Sequence, residues 1–180
     1  MSDPGREAME RDLRKAEFFE SLTDDELAEF AEGAERVSFG VGEAMIREGR
    51  EPECMFVVTY GRMQVCKKVP GGEKVIARIE AGEKPTVVGE RGMLAKSGAS
   101  ATVRTRGRVE AIKVRRETFR RMIHDERPAA FKVSYRISRT IAERLTRLDE
   151  EVVEMIRDVE RKGSPDVEAF RDRLTTEWTI

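Results

Sequence analysis

The chain has 180 residues, 39 % of them hydrophobic and 38 % charged, with a formal net charge of −1. That length suffices for one self-supporting core plus an appendage. The near-zero charge argues against a globally basic nucleic-acid binder, and no run reaches the roughly 18 to 20 uncharged apolar residues of a membrane span. The N-terminal Met1-Ser2-Asp3-Pro4-Gly5 carries no apolar signal region, so a cytoplasmic location is expected.

The first landmark in the chain is Leu22-Thr23-Asp24-Asp25-Glu26-Leu27. Thr23 can cap a helix and Glu26 can return the bond, with Leu22 and Leu27 as a hydrophobic staple. A helix is therefore predicted from Asp24 toward Gly33, preceded by an amphipathic segment containing Phe18 and Phe19, and residues 1–34 form an N-terminal helical entry. From residue 35 the texture changes to short Val, Ile, Phe and Met runs punctuated by glycine, the pattern of many short strands. Phe56 and Val58, then Met63 and Val65, alternate about Gly61, and Pro70-Gly71-Gly72 reads as a hairpin turn into Val75–Ile79. Cys54 and Cys66 lie inside these runs without metal-ligand spacing and read as small buried hydrophobes. The strands close with Val109–Val114, and Phe119, Met122 and Ile123 mark a short helix ending before Pro128. Residues 35–127 thus make one β-rich unit.

Residues 128–163 read as one long helix. Ile137, Ile141, Leu145, Leu148, Val152, Met155 and Val159 recur at steps of four, four, three, four, three and four, a heptad-like seam. Such a stripe can lie on its own barrel or zip two copies together. Its length favours a homodimer through residues 137–159. Gly163-Ser164-Pro165 breaks the helix, and residues 164–180 form a short tail or helix. There Phe170, Leu174, Trp178 and Ile180 make an apolar stripe that either docks a protein partner or folds back on its own chain. Between Val103 and Arg127 nine Lys/Arg stand against four Asp/Glu, which reads as a solvated charged face.

The run Val41-Gly42-Glu43-Ala44-Met45-Ile46-Arg47-Glu48-Gly49, followed by Phe56-Val57-Val58 and Gly61-Arg62-Met63-Gln64-Val65, resembles the cyclic-nucleotide-binding domain family, in its catabolite-activator-like form. The resemblance spans about Phe18 to Leu148. It implies an α+β fold: a jelly-roll-like β-roll of cyclic-nucleotide-binding type with N-terminal helices and a long C-terminal dimerisation helix. It also implies a phosphate-binding cassette, here Val88-Gly89-Glu90-Arg91-Gly92-Met93-Leu94 through Ala101-Thr102-Val103. In the family a short helix and one arginine hold the cyclic phosphate, and a glutamate takes the ribose hydroxyl. Gly89 and Glu90 match this pattern, Gly92 lies within the same segment, and Ser100 is an acceptable small hydroxyl residue. Counting from Gly89, however, the family's arginine falls on Ala99. Arg91 stands where the family prefers an apolar residue, although Arg91 or Lys96 could bring charge from another direction. Gly82–Gly89 is longer than the family's usual approach, and Leu148-Asp149 replaces the small hydroxyl residues that contact the base in bacterial transcription-factor members.

A charge-assisted bond to phosphate is worth about 1.5 to 3 kcal/mol, so the absence of that arginine predicts an affinity loss of roughly tenfold to hundredfold or more. No cofactor is expected and a cyclic nucleotide is disfavoured. Ser164–Ile180 supplies only 17 residues and is acidic, which argues against an attached reader of DNA. The single histidine, His124, has no metal, nucleophile or phosphate-loop pattern about it, so no enzyme is expected. The expected function is that of a non-catalytic regulatory or scaffold protein of bacterial-type signalling, acting through protein–protein interaction. The alternative is a stand-alone cyclic-nucleotide receptor whose ligand shifts the long helix, and a DNA-binding regulator ranks third.

Overall fold

The computed structural model describes residues 4–95 and 97–161. The chain enters through helix α1 (Pro4–Lys15), a 3-10 turn (Glu17–Phe19) and helix α2 (Asp24–Glu32). The capping box is formed in full: Thr23 Oγ1 accepts from the Glu26 amide at 3.3 Å, and the Glu26 carboxylate accepts from the Thr23 amide at 2.8 Å. Two of the four amides left over at the helix start, those of Thr23 and Glu26, are thereby satisfied.

Seven strands follow: β1 (Ala34–Phe39), β2 (Ala44–Ile46), β3 (Cys54–Val69), β4 (Gly72–Ala81), β5 (Thr86–Val88), β6 (Thr102–Thr105) and β7 (Val109–Arg115). A four-residue helix α3 (Arg91–Leu94) separates β5 from β6, and helices α4 (Arg116–His124) and α5 (Pro128–Arg161) close the described chain. All strand pairs are antiparallel, in the order β1-β7-β3-β6-β2 with β4 and β5 also on β3. This is a curled antiparallel sheet with helices at its ends, the predicted β-roll.

Strand β3 organises the curl. Its first part, Cys54–Tyr60, pairs with β7 and β5, whereas Gly61–Val69 pairs with β4 and Met63–Cys66 with β6. The alternating runs on either side of Gly61 are therefore one continuous 16-residue strand that changes partners at the glycine. Gly61 has φ +118°, and a Cβ there would lie 2.5 Å from the Arg108 carbonyl oxygen and 2.9 Å from Val109 Cα. Only a residue without a side chain lets β3 and the turn before β7 approach so closely.

Between the curled layers lies an apolar cluster of Met45, Ile46, Phe56, Val58, Met63, Ala81, Val88, Val103, Val109 and Ala111. Cys66 is buried, and Cys54 is half-buried with burial pushing its thiol pKa up, opposite to a reactive thiolate. The helical end has its own core, in which Phe19, Phe30 and Phe119 are fully buried, with Phe19 tilted against Phe30 at a centroid distance of 5.2 Å and Phe30 edge-to-face with Phe119 at 6.2 Å.

The chain divides into two compact units between Ile137 and Ser138. In the first, the opening turns of α5 bury Ala129, Ala130, Val133 and Ile137 at 0–1 % exposure. Ile137 thus belongs to the interior of the roll unit, and the exposed stripe starts at Ile141. Lys132 donates to Glu26 at 2.8 Å and to the Ser21 carbonyl at 3.3 Å, and Arg136 pairs with Glu17 and Glu20. The Lys132 bond, with the Thr23 amide second, holds the Glu26 carboxyl below the ordinary glutamate range. A depressed carboxylate contributes stability above its unfolded pKa of about 4.3 and loses it as pH falls through the lower folded value. We therefore expect Glu26→Gln to flatten the acid limb of the stability profile below pH 5, as read by chemical denaturation at a series of pH values; an unchanged acid limb refutes the assignment.

In the second unit, Ile141 and Val152 are half-buried, whereas Leu145, Leu148 and Met155 are 56–62 % exposed and Val159 is exposed at 36 %. The predicted break at Gly163-Ser164-Pro165 and the stripe of Phe170, Leu174, Trp178 and Ile180 lie outside the described residues. The basic run from Arg104 to Arg127 is largely ion-paired: Arg104 with Glu73, Arg108 with Glu110, Lys113 and Arg115 with Glu35, Arg116 with Glu51, Arg127 with Glu29. That is the mixed-sign solvated face expected from the sequence.

Candidate functional site

The segment read as a cassette leaves β5 at Val88, turns through Gly89 into α3, and is followed by a loop, described at residues 95 and 97–101, that leads into β6. Gly89 has φ +82°, and a Cβ on it would lie 2.8 Å from Ile46 Cδ1 and 3.1 Å from the Cys54 carbonyl oxygen. The glycine is thus demanded by both conformation and space. The turn is tight: Gly92 N–H donates to Gly89 O at 3.1 Å and Met93 N–H to Glu90 O at 3.0 Å. Gly92 in turn rests on Pro52, where a Cβ would fall 2.2 Å from the proline ring. Glu90 is buried at 4 % exposure, an unusual place for a carboxylate and the strongest polar landmark of the segment.

The return loop contains the position where the resemblance calls for an arginine. Ala99 is half-buried and its methyl packs against the apolar cluster of the roll. Its backbone is engaged on both sides: Ala99 N–H donates to Arg50 O at 2.8 Å, and Gly49 N–H donates to Ala99 O at 2.9 Å. Ser100 is exposed beside it. Gly89 and Glu90 therefore lead into α3, Arg91 and Gly92 form its first turn, and Ala99 and Ser100 lie on the return loop. The two halves are joined by Arg91, whose Nη2 donates to Gly98 O at 3.1 Å. Lys96 lies outside the described residues.

Three features of this site escape the sequence. Arg91 reaches Gly98 across a loop, a partnership that no helical or strand spacing announces. Arg116, at the first position of α4, sends Nη2 to the Ala95 carbonyl at 3.1 Å while its Nη1 pairs with Glu51, tying the end of α3 to α4. A cavity of about 610 Å3 opens near the start of α4, lined by Glu51, Glu53, Lys113, Arg115, Arg116, Glu117 and Arg120. None of its lining residues belongs to the cassette, and three of its four cations, Lys113, Arg115 and Arg116, are paired with Glu35 and Glu51. Among the described residues, no group of three His, Cys, Asp or Glu is placed to hold a metal ion.

A curled antiparallel roll, a glycine-turned short helix with a buried glutamate, and closing helices together make up a β-roll domain with a cassette-like segment. The chain belongs to the cyclic nucleotide-binding domain family, whose sequence model matches residues 36–126. Among curated proteins it is similar to a cAMP-dependent protein kinase regulatory subunit of Mycosarcoma maydis, at 28 % identity over 110 residues, which are 61 % of this chain and 20 % of that protein. The chain thus aligns with about a fifth of that relative's length. Among solved structures it is similar to the regulatory domain of Toxoplasma gondii PKA with cAMP, at TM-score 0.58 and 26 % identity, covering 67 % of this chain and 45 % of that one. It shares its fold with Thermus thermophilus catabolite activator protein, at TM-score 0.66 and 19 % identity, covering 82 % of this chain and 72 % of that one. No helix among the described residues is long and apolar enough to cross a membrane.

Proposed function

We propose that this chain is a non-catalytic regulatory module in which the family's ligand site is degenerate toward cyclic nucleotides, and that it acts through protein–protein contacts. The observation that carries this reading is Ala99. The position that would supply the phosphate-binding guanidinium holds a methyl group packed on the roll's apolar cluster. Glu90 remains for a ribose hydroxyl, but that contact does not reach the phosphate, whose charge-assisted partner, worth up to about 3 kcal/mol, is missing at Ala99. A ligand binding only the native state raises the melting temperature in proportion to the logarithm of its concentration over Kd. Cyclic AMP or cyclic GMP at about 10 micromolar is therefore expected to leave the melting temperature unchanged, and a clear upward shift with either at that concentration would return the chain to the class of true receptors.

The contact surface in this reading is the stripe Ile141, Leu145, Leu148, Val152, Met155 and Val159, in a homodimer. These residues keep a regular four-three alternation, with Ile141, Leu148 and Met155 at d and Leu145, Val152 and Val159 at a. That register puts Arg144 at g and Asp149 at e, opposite charges that meet across a parallel pair. A glutamate in place of Leu148 would bury an unpaired charge in the seam and weaken association by roughly 3 kcal/mol or more. Sedimentation is expected to show a dimer for the natural chain and a monomer for Leu148→Glu at the same concentration. Equal masses for the two would remove the seam from the account. Phe170, Leu174 and Trp178 extend the proposal as a docking stripe for a protein partner, and neither membrane nor nucleic acid is assigned as one.

A further inference from the structure

The cassette carries its own fastening. Arg91 is the first residue of α3, where a positive charge opposes the helix dipole and where the family resemblance calls for an apolar side chain. A half-buried guanidinium in such a place requires acceptors. Its Nη2 is given the Gly98 carbonyl at 3.1 Å, one residue before Ala99. The cation missing at Ala99 is thus replaced by one that reaches the same loop from the opposite wall of the cassette, and what it binds is protein backbone.

The rest of the return loop is fastened in the same internal way. Gly98 lies directly on Gly49, where a Cβ would fall 2.6 Å from the Gly49 carbonyl oxygen. The adjoining pair of bonds, Ala99 N–H to Arg50 O and Gly49 N–H to Ala99 O, closes a short ladder at 2.8 and 2.9 Å. At the other end of the loop the Ala95 carbonyl accepts from Arg116 at 3.1 Å. We propose that Arg91 is a positioning residue that holds the cassette in one arrangement without a ligand, its bond to Gly98 supplying the tie between α3 and the return loop that a bound anion would otherwise supply. This rests on the reading of the site as degenerate toward cyclic nucleotides. A ligand shifts an equilibrium only as far as it discriminates between two states, and a loop already tied to α3 offers an anion no open state to close.

Amide hydrogen exchange on the full chain tests this locally. In the natural protein the amides of Ala99 and Gly49 are expected to exchange slowly. In Arg91→Met, which keeps side-chain length and removes the donors, they are expected to exchange about tenfold faster, with the Ile112 amide in the central strand β7 unchanged. Arg91→Lys, which retains the charge and a donor, is expected to lie between the two. Equal rates at Ala99 and Gly49 in the natural and Met variants would overturn the proposal. So would acceleration extending equally to Ile112, since that marks Arg91 as general packing. Nucleotide binding by the natural chain would defeat the reading of the site without altering these ligand-free rates, so the two failures are separable.

Discussion

Phe119→Ala is expected to remove about 3 to 5 kcal/mol of stability, the range for deleting a fully buried aromatic ring. Phe119 projects from α4 and is 0 % exposed. Its ring meets Phe30 of α2 at 6.2 Å, and Phe30 meets Phe19 at 5.2 Å. One side chain therefore joins the helix after the roll to the two segments before it. Its loss leaves a cavity among rings that cannot all collapse inward, because α2 is held by its capping box and by Lys132 from α5. Urea denaturation should show the midpoint falling with an unchanged slope. A change under about 1 kcal/mol would mean that the aromatic chain is not what binds these helices to the roll.

Gly61→Ala is expected to be similarly severe, roughly 3 to 5 kcal/mol, by a different mechanism that combines backbone strain with overpacking. The residue has φ +118°, a conformation that side-chain-bearing residues rarely adopt. The added methyl would lie 2.5 Å from the Arg108 carbonyl oxygen, 2.8 Å from Val109 Cγ2 and 2.9 Å from Val109 Cα. Two of these three atoms are backbone and Val109 is fully buried, so relief requires β3 and β7 to move apart. The same denaturation experiment reads the loss. Gly42→Ala provides the comparison, since that glycine has φ +80° but nothing within 4 Å of its Cβ position. If both alanine variants lose the same amount, the effect comes from φ alone and the close approach at Gly61 contributes nothing.

These two positions also show which parts of the structure the sequence makes legible. The capping box at Thr23 and Glu26 is local, and its chemistry is complete within four residues, so it can be read directly. Gly61 is visible as a glycine between alternating runs, but its pattern suggests a break. The chain in fact runs on as one strand and changes neighbours there, for a reason supplied by Arg108 and Val109 nearly fifty residues later. The vacancy at Ala99 is legible because the glycine and glutamate that precede it fix the count. The Arg91–Gly98 tie is not, since it depends on how the loop returns. Ile137 illustrates a signal that was present: the first two seam steps are both four, and the regular four-three alternation begins only at Ile141. Ile137 accordingly packs within the roll unit, while the residues from Ile141 onward belong to the second unit and carry the regular alternation.

The central claim is that Ala99 makes the family site unable to hold a cyclic phosphate, and calorimetric titration of the natural chain and of Ala99→Arg with cyclic AMP and cyclic GMP tests it most directly. The account predicts no saturable heat from the natural chain and saturable binding once the guanidinium is restored. Micromolar, saturable binding by the natural chain would contradict it.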